Sequence, residues 1–216
     1  MIDRLNMALR RLPSWPLYIL GAVPAIAWFR LALLNRLGAD PVRALEHEYG
    51  LIALQLLIAA LCITPLREIV GLNLLRFRRA IGQLAFVYAL LHFIVWLWLD
   101  RQFDWPRIVE DLLKRPYIIV GFAALLLLLP LALTSTDSAI RRLGGVRWRR
   151  LHRLAYPATL LAGLHFIWLV KAWPAEPLLY GAGIVLLLAW RAVRSRRKGA
   201  RRAMPQKFRA NEKKLS

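Results

Sequence analysis

The 216-residue sequence is poor in the residues that bind metals or form cross-links, with a single cysteine, Cys62, and four histidines. One cysteine excludes an intramolecular disulfide, an iron–sulfur cluster held by cysteines and covalent haem attachment through CxxCH. Neither GxGxxG nor GxxxxGK[ST] occurs, so we expect no dinucleotide-binding domain. Any haem would therefore be held non-covalently.

Acidic residues are also scarce, because 12 Asp and Glu stand against 32 Lys and Arg, for a net charge of +20. On a soluble protein this charge would suggest nucleic-acid binding. However, the chain is 59% hydrophobic with a mean hydropathy of +0.46, whereas soluble domains are about half apolar. We therefore interpret it as a membrane protein that binds no nucleic acid, and we attribute the charge to topology.

Six apolar stretches have the roughly 20 residues that a helix needs to cross a bilayer core about 30 Å thick. Lipid offers no partners for backbone amides, and the stretches lack the alternation of barrel strands. The sequence predicts an all-α integral membrane protein with a six-transmembrane-helix bundle, whose first stretch is a retained span. The predicted spans are Trp15–Leu34, Tyr49–Leu66, Ala80–Leu99, Pro116–Thr134, Leu151–Val170 and Leu178–Val193.

The distribution of basic residues predicts the orientation. With a cytoplasmic N-terminus, the inner segments hold 24 of the 32 Lys and Arg, whereas the outer loops hold eight basic and eight acidic residues. The positive-inside rule then places both termini in the cytoplasm. We divide the chain into a cytoplasmic N-terminus (1–14), a transmembrane haem-binding domain (15–194) and a basic, disordered cytoplasmic tail (195–216) that could contact membrane lipids.

Two histidines lie inside predicted spans, where ionisable side chains are costly and are candidates for function. His92 precedes the outer end of span three by about eight residues and His165 precedes that of span five by about six, which is about 9–12 Å. Both are therefore predicted in the outer half of the bilayer, at one level. Facing imidazoles could ligate a haem iron axially. The alternative is that each is a packed histidine bonded to a neighbouring carbonyl or hydroxyl.

His152 lies at the inner end of span five, thirteen residues before His165, or about 20 Å along the axis. That distance leaves room for a second haem with His152 as a metal ligand. However, thirteen residues leave the two side chains about 140° apart unless Pro157 bends the helix.

Arginines surround this inner position. Arg78 and Arg79 stand on span three where a mirror-image histidine would be needed, so two symmetric bis-histidine sites are not encoded. These two and Arg153 could bind haem propionates or a flavin phosphate. The alternative is ordinary anchoring at the inner surface.

His47 precedes span two between Glu46 and Glu48. It could be a third-site ligand or a quinone-site group, but we interpret it as a solvated loop histidine.

An ordered set of motifs runs through spans two to five. It comprises Thr64-Pro65-Leu66-Arg67, Arg78-Arg79, Gly82, Tyr88, His92, Lys114-Arg115-Pro116-Tyr117, Leu131-Ala132-Leu133-Thr134-Ser135, Trp148, Leu151-His152-Arg153-Leu154, Tyr156, His165, Trp168 and Lys171. This set resembles the MsrQ (formerly YedZ) family of haem-binding membrane subunits, within the ferric-reductase-like transmembrane superfamily. The resemblance is close over residues 40–171.

The resemblance implies a multi-pass protein of the bacterial inner membrane with one or two b-type haems and FMN. It implies a non-catalytic electron-transfer subunit that takes electrons from the quinone pool or from a cytoplasmic flavin reductase. The electrons would pass to MsrP, a periplasmic molybdopterin enzyme that reduces methionine sulfoxide in oxidised proteins. His92, His152 and His165 match the family's haem-associated histidines, and Arg78 matches a basic position near its inner haem.

Two other functions are alternatives to an electron-transfer subunit. A ferric-reductase-type or superoxide-forming oxidoreductase would need a separate flavin reductase as donor. A transporter or channel would need acidic residues or broken helices at mid-membrane, and the predicted spans have no Asp or Glu in their central parts. The sequence favours the electron-transfer subunit, with the outer loops 35–48 and 100–115 as candidate partner contacts.

Overall fold

The computed structural model describes residues 2–169 and 174–203, with side chains as far as Arg197. All regular structure in these ranges is helical. The α-helices are α1 (Ile2–Arg11), α2 (Trp15–Leu33), α3 (Pro41–Pro65), α4 (Arg78–Ile94), α5 (Trp105–Lys114), α6 (Pro116–Leu133), α7 (Asp137–Leu151), α8 (Ala155–Leu169) and α9 (Ala175–Ala203). The predicted all-helical architecture is confirmed.

Five helical segments of the described chain are long and apolar enough to cross a membrane. They are Trp15–Leu33, Pro41–Val70, Leu75–Asp100, Pro116–Leu133 and Ala175–Arg197. Two of them exceed their α-helices because π-helical turns continue α3 to Val70 and α4 to Asp100. The predicted fifth span corresponds to α8, of which 15 helical residues are described, and Lys171 lies outside the described residues.

Local capping signals shift several boundaries from those predicted. The Asp40 side chain accepts a hydrogen bond from the backbone N–H of Arg43, and Pro41 opens the helix, so α3 begins eight residues before Tyr49. Asp104 and Thr136 cap α5 and α7 in the same way, which makes helices of two segments predicted only as connections.

Both predicted terminal segments contain helix. In the N-terminal one, α1 docks on the α3–α4 connection, where Asn6 donates to the carbonyl of Gly71 and accepts from the N–H of Asn73. At the other end, α9 continues to Ala203, so the part of the predicted disordered tail up to that residue is helical. Its composition of Arg, Lys and Ala favours helix. Residues 204–216 lie outside the described residues.

Four helices form a closed ring, since α3 packs on α4, α4 on α6, α6 on α8 and α8 on α3. Helix α2 lies against α3 and α4, and α9 lies against α8 and α3. The tyrosines Tyr88 and Tyr49 fasten α2, because their hydroxyls donate to the carbonyls of Gly21 and Ala25 at 2.5 and 2.8 Å. In this ring α4 and α8 stand diagonally, so side chains from the two helices can meet in the bundle interior.

Candidate functional site

The structure brings His92 and His165 together inside the ring. His92 projects from α4 and His165 from α8, and their ring centres are 6.1 Å apart with planes at 76°. The two helices thus bring their imidazoles together in an edge-on arrangement inside the bundle. The sequence predicted that these residues lie at one level, and the geometry places them as a pair.

Each of these imidazoles is bonded to a backbone carbonyl of the neighbouring helix. The Nδ1 of His92 lies 2.8 Å from the oxygen of Glu46 on α3, and the Nδ1 of His165 lies 2.7 Å from that of Tyr117 on α6. A carbonyl can only accept, so both Nδ1 atoms carry the proton. Each Nε2 therefore keeps its lone pair.

Glycines allow both contacts. A Cβ on Gly50 would lie 3.0 Å from the Nδ1 of His92, and one on Gly121 would lie 2.8 Å from the Nδ1 of His165. Gly50 is four residues after Glu46, and Gly121 is four residues after Tyr117. A helical side chain covers the turn that precedes it, so a glycine at this position uncovers the carbonyl for the imidazole.

The pair fits the requirements of a six-coordinate iron. An imidazole nitrogen binds a metal at about 2 Å and the ring centre lies about 1 Å behind it, so two imidazoles that held one metal ion would have centres about 6 Å apart. The observed separation of 6.1 Å agrees. Metal-binding histidines also usually donate their second N–H to a carbonyl or carboxylate. A haem held by His92 and His165 therefore fits the site.

His152 has different contacts. Its Nε2 lies 3.2 Å from the Oγ1 of Thr134, and that hydroxyl donates to the carbonyl of Pro130 at 2.6 Å. Thr134 has only one hydroxyl proton, so in this arrangement the Nε2 of His152 donates to Thr134 and its Nδ1 keeps the lone pair. The ring also stacks on Trp148, with centres 3.9 Å apart. A short 3₁₀ turn, His152–Leu154, separates it from α8.

The three arginines predicted at the inner end of the bundle lie in different environments. Arg79 forms an ion pair with Asp137 at 2.7 Å, and this hydrogen bond and charge hold the pKa of Asp137 below its usual value. Arg78 is half-buried and contacts the hydroxyl of Tyr156, while Arg153 is exposed. Arg78 and Arg79 nevertheless lie close enough to His152 for their charges to act on its ring.

His47 belongs to α3 rather than to a loop, because the helix begins at Pro41. The loop assignment was wrong, although the residue is exposed as predicted. Its ring centre lies 6.0 Å from that of Phe166, and its Nδ1 lies 4.0 Å from the Glu48 carboxylate.

The sequence did not predict the roles of the Glu46 and Tyr117 carbonyls or of the glycines Gly50 and Gly121. The shared spacing of four residues between carbonyl and glycine is a signal that could have been found. However, the spacing is informative only when it is known which helix brings a histidine next to the carbonyl.

The fold and the site define a class: a multi-pass helical membrane protein with a paired-imidazole site inside its bundle. The family model of the ferric reductase like transmembrane component matches residues 47–163. Two similar relatives, from Brucella ovis and Brucella anthropi, are named "Protein-methionine-sulfoxide reductase heme-binding subunit MsrQ". They are 48% and 49% identical to this chain over 180 residues, or 83% of this chain and 81% of each relative.

The chain therefore belongs to the MsrQ family, within the ferric-reductase-like transmembrane proteins. The predicted resemblance is confirmed. No solved structure matches the chain.

Proposed function

We propose that the chain is a haem b electron-transfer subunit that passes electrons from the quinone pool to a periplasmic molybdopterin methionine sulfoxide reductase of the MsrP type. The observation that carries the haem site is the arrangement of His92 and His165, with both Nδ1 atoms bonded to carbonyls and ring centres 6.1 Å apart. The assignment to a methionine sulfoxide reductase system rests on the relatives' names.

We further propose six membrane spans, with α8 as the fifth, and both termini in the cytoplasm of a bacterium whose inner membrane holds the protein. The distribution of basic residues supports this orientation, since the loops assigned to the outside carry no net charge. It puts the paired histidines in the periplasmic half, near the partner to which electrons are delivered.

Haem, when bound, supplies the one-electron chemistry of its iron. The residues of this chain hold it in place. The carbonyls of Glu46 and Tyr117 fix the tautomer and the orientation of the two imidazoles, which raises their basicity as ligands. The surrounding helices α3, α4, α6 and α8 keep the pair away from bulk water.

We assign one haem to the paired site and none to His152, whose Nε2 is used by Thr134. FMN and a cytoplasmic flavin reductase as alternative donor are proposals that rest on the family resemblance alone. For the partner surface we propose the outer connection that contains α5. Asp111 anchors this helix to Arg101 at 2.5 Å, while Trp105 and Leu113 remain exposed.

A ferric-reductase-type oxidoreductase with a separate flavin reductase as donor is the alternative function, because the matching family model carries that description. It predicts discharge of the haem to ferric chelates, whereas the proposed function predicts discharge to the periplasmic reductase. The two acceptors can be compared directly.

We expect a membrane-soluble quinol to reduce the haem of the purified protein in liposomes and to produce the ferrous α-band. Adding MsrP with a methionine sulfoxide peptide should then reoxidise it much faster than adding a ferric chelate. Liposomes with the His165→Ala variant control for reactions that bypass the haem. Equal reoxidation by the ferric chelate without MsrP would favour the alternative function, and failure of MsrP to reoxidise the haem would contradict the proposal.

A further inference from the structure

The motif Thr64-Pro65 at the end of α3 has a structural partner on α9. Proline lacks an N–H, so Pro65 leaves the carbonyl of Leu61 without its helical donor. The Nη2 of Arg191 fills this place at 2.7 Å and also donates to the Oγ1 of Thr64 at 2.9 Å. Arg191 therefore joins α9 to the end of α3, and its guanidinium is fixed there.

A second arginine meets Arg191 at the hydroxyl of Tyr156. The Nη1 of Arg191 donates to this oxygen at 3.2 Å, and its guanidinium carbon lies 5.4 Å from the centre of the tyrosine ring. Arg78, at the start of α4, contacts the same hydroxyl. The oxygen accepts from the arginines, so the hydroxyl proton of Tyr156 is left to donate elsewhere. The cluster Arg78–Tyr156–Arg191 thus presents hydrogen-bond donors to a potential ligand.

The cluster has no acidic partner in the part of the chain that the structure describes. The ion pairs there that are closer than 4.0 Å include neither Arg78 nor Arg191, and the buried Nε of Arg191 has no hydrogen-bond partner. The neighbouring arginines differ, because Arg79 pairs with Asp137 at 2.7 Å and Arg194 with Glu68 at 2.5 Å. Two half-buried guanidiniums at one hydroxyl repel each other unless an anion lies between them.

We propose that Arg78, Tyr156 and Arg191 form a binding site for a phosphate group, at the end of the bundle opposite the paired histidines. Guanidiniums bind phosphate through paired N–H donors, and a phosphate can neutralise both charges. Arg78 precedes His92 by fourteen residues on α4, so this site lies about 20 Å along the helix from the haem site. The phosphate belongs either to an anionic lipid headgroup or to a free phosphate.

The test measures thermal unfolding of the purified full-length protein, with two pairs of conditions. In detergent, inorganic phosphate is compared with chloride at equal ionic strength, and in nanodiscs phosphatidylglycerol is compared with phosphatidylcholine. We expect inorganic phosphate, phosphatidylglycerol or both to raise the melting temperature above that measured in the matching control. A rise with inorganic phosphate identifies a free phosphate, and a rise with phosphatidylglycerol alone identifies the lipid headgroup.

The variant Arg78→Gln should lose this rise, while Arg79→Gln, which changes the adjacent arginine with its own acidic partner, should retain it. In chloride and phosphatidylcholine, Arg78→Gln should unfold no lower than the unchanged protein, because one of two like charges is gone. Tyr156→Phe keeps both charges and should reduce the rise, which preserves the test if Arg78→Gln fails to fold. The proposal is overturned if neither probe stabilises the unchanged protein, or if Arg78→Gln or Tyr156→Phe responds as fully as Arg79→Gln.

Discussion

Replacing His165 with alanine is expected to remove haem from the protein, and His92→Ala is expected to do the same. Each imidazole would supply one nitrogen to the iron, and its Nδ1–H is already bonded to a carbonyl of the adjacent helix. A non-covalent haem would depend on these two ligands, since the only cysteine, Cys62, cannot form a CxxCH attachment. The Soret absorbance per chain after haem-replete expression should fall to background.

The matched control for this experiment is His152→Ala, which changes a histidine of the same chain that donates to Thr134 and stacks on Trp148. We expect this variant to keep the haem content of the unchanged protein, about one per chain. If His152→Ala loses half of the haem, a second site exists and the single-haem assignment is wrong. If His165→Ala retains a normal Soret band, the paired site is not the haem site.

Gly121→Ala is expected to lower haem affinity strongly although it changes no ligand. A Cβ at this position would lie 2.8 Å from the Nδ1 of His165, so the imidazole must move off the Tyr117 carbonyl. Loss of such an outer hydrogen bond typically lowers metal affinity by about 10- to 100-fold. Gly50→Ala should act in the same direction on His92, where the corresponding distance is 3.0 Å. Titration of the apoprotein with haemin measures both effects.

Two other helical glycines provide matched controls. A Cβ on Gly82 of α4 or on Gly183 of α9 would meet nothing within 4 Å, and alanine is favoured over glycine in a helix by about 1 kcal/mol. Gly82→Ala and Gly183→Ala should therefore bind haem normally and fold at least as well. A Gly121→Ala protein with unchanged haem affinity would show that the contact between His165 and Tyr117 does not position the ligand.

The membrane architecture and the pairing of His92 with His165 were accessible from sequence, because length and apolar runs determine the spans and residue counts determine depth. Helix identity at the connections was harder to predict, since α5 and α7 are short and begin at single capping residues, Asp104 and Thr136. The sequence pattern gives periodicity but not the tertiary setting of such helices.

The partners of each side chain could not be predicted, because they depend on which helices become neighbours. The carbonyl of Tyr117 can accept a hydrogen bond from His165 only because α6 packs on α8. For the same reason, the sequence did not show that the Nε2 of His152 contacts the hydroxyl of Thr134, whereas the other two histidines contact backbone carbonyls. The hydrogen bond from Arg191 to the carbonyl of Leu61 likewise depends on the packing of α9 against α3, although Pro65 leaves that carbonyl without its helical donor.

The most direct test of the central claim is rescue of a ligand-deleted protein by free imidazole. In His165→Gly the space of the side chain is open, and imidazole in solution can supply the missing nitrogen opposite His92. We predict that added imidazole restores the low-spin, six-coordinate Soret band to His165→Gly reconstituted with haemin, and that His152→Gly has this band without imidazole. A His165→Gly protein that keeps the unchanged spectrum without imidazole, or that holds haem but never regains the band with it, would contradict the assignment of His165 as an iron ligand.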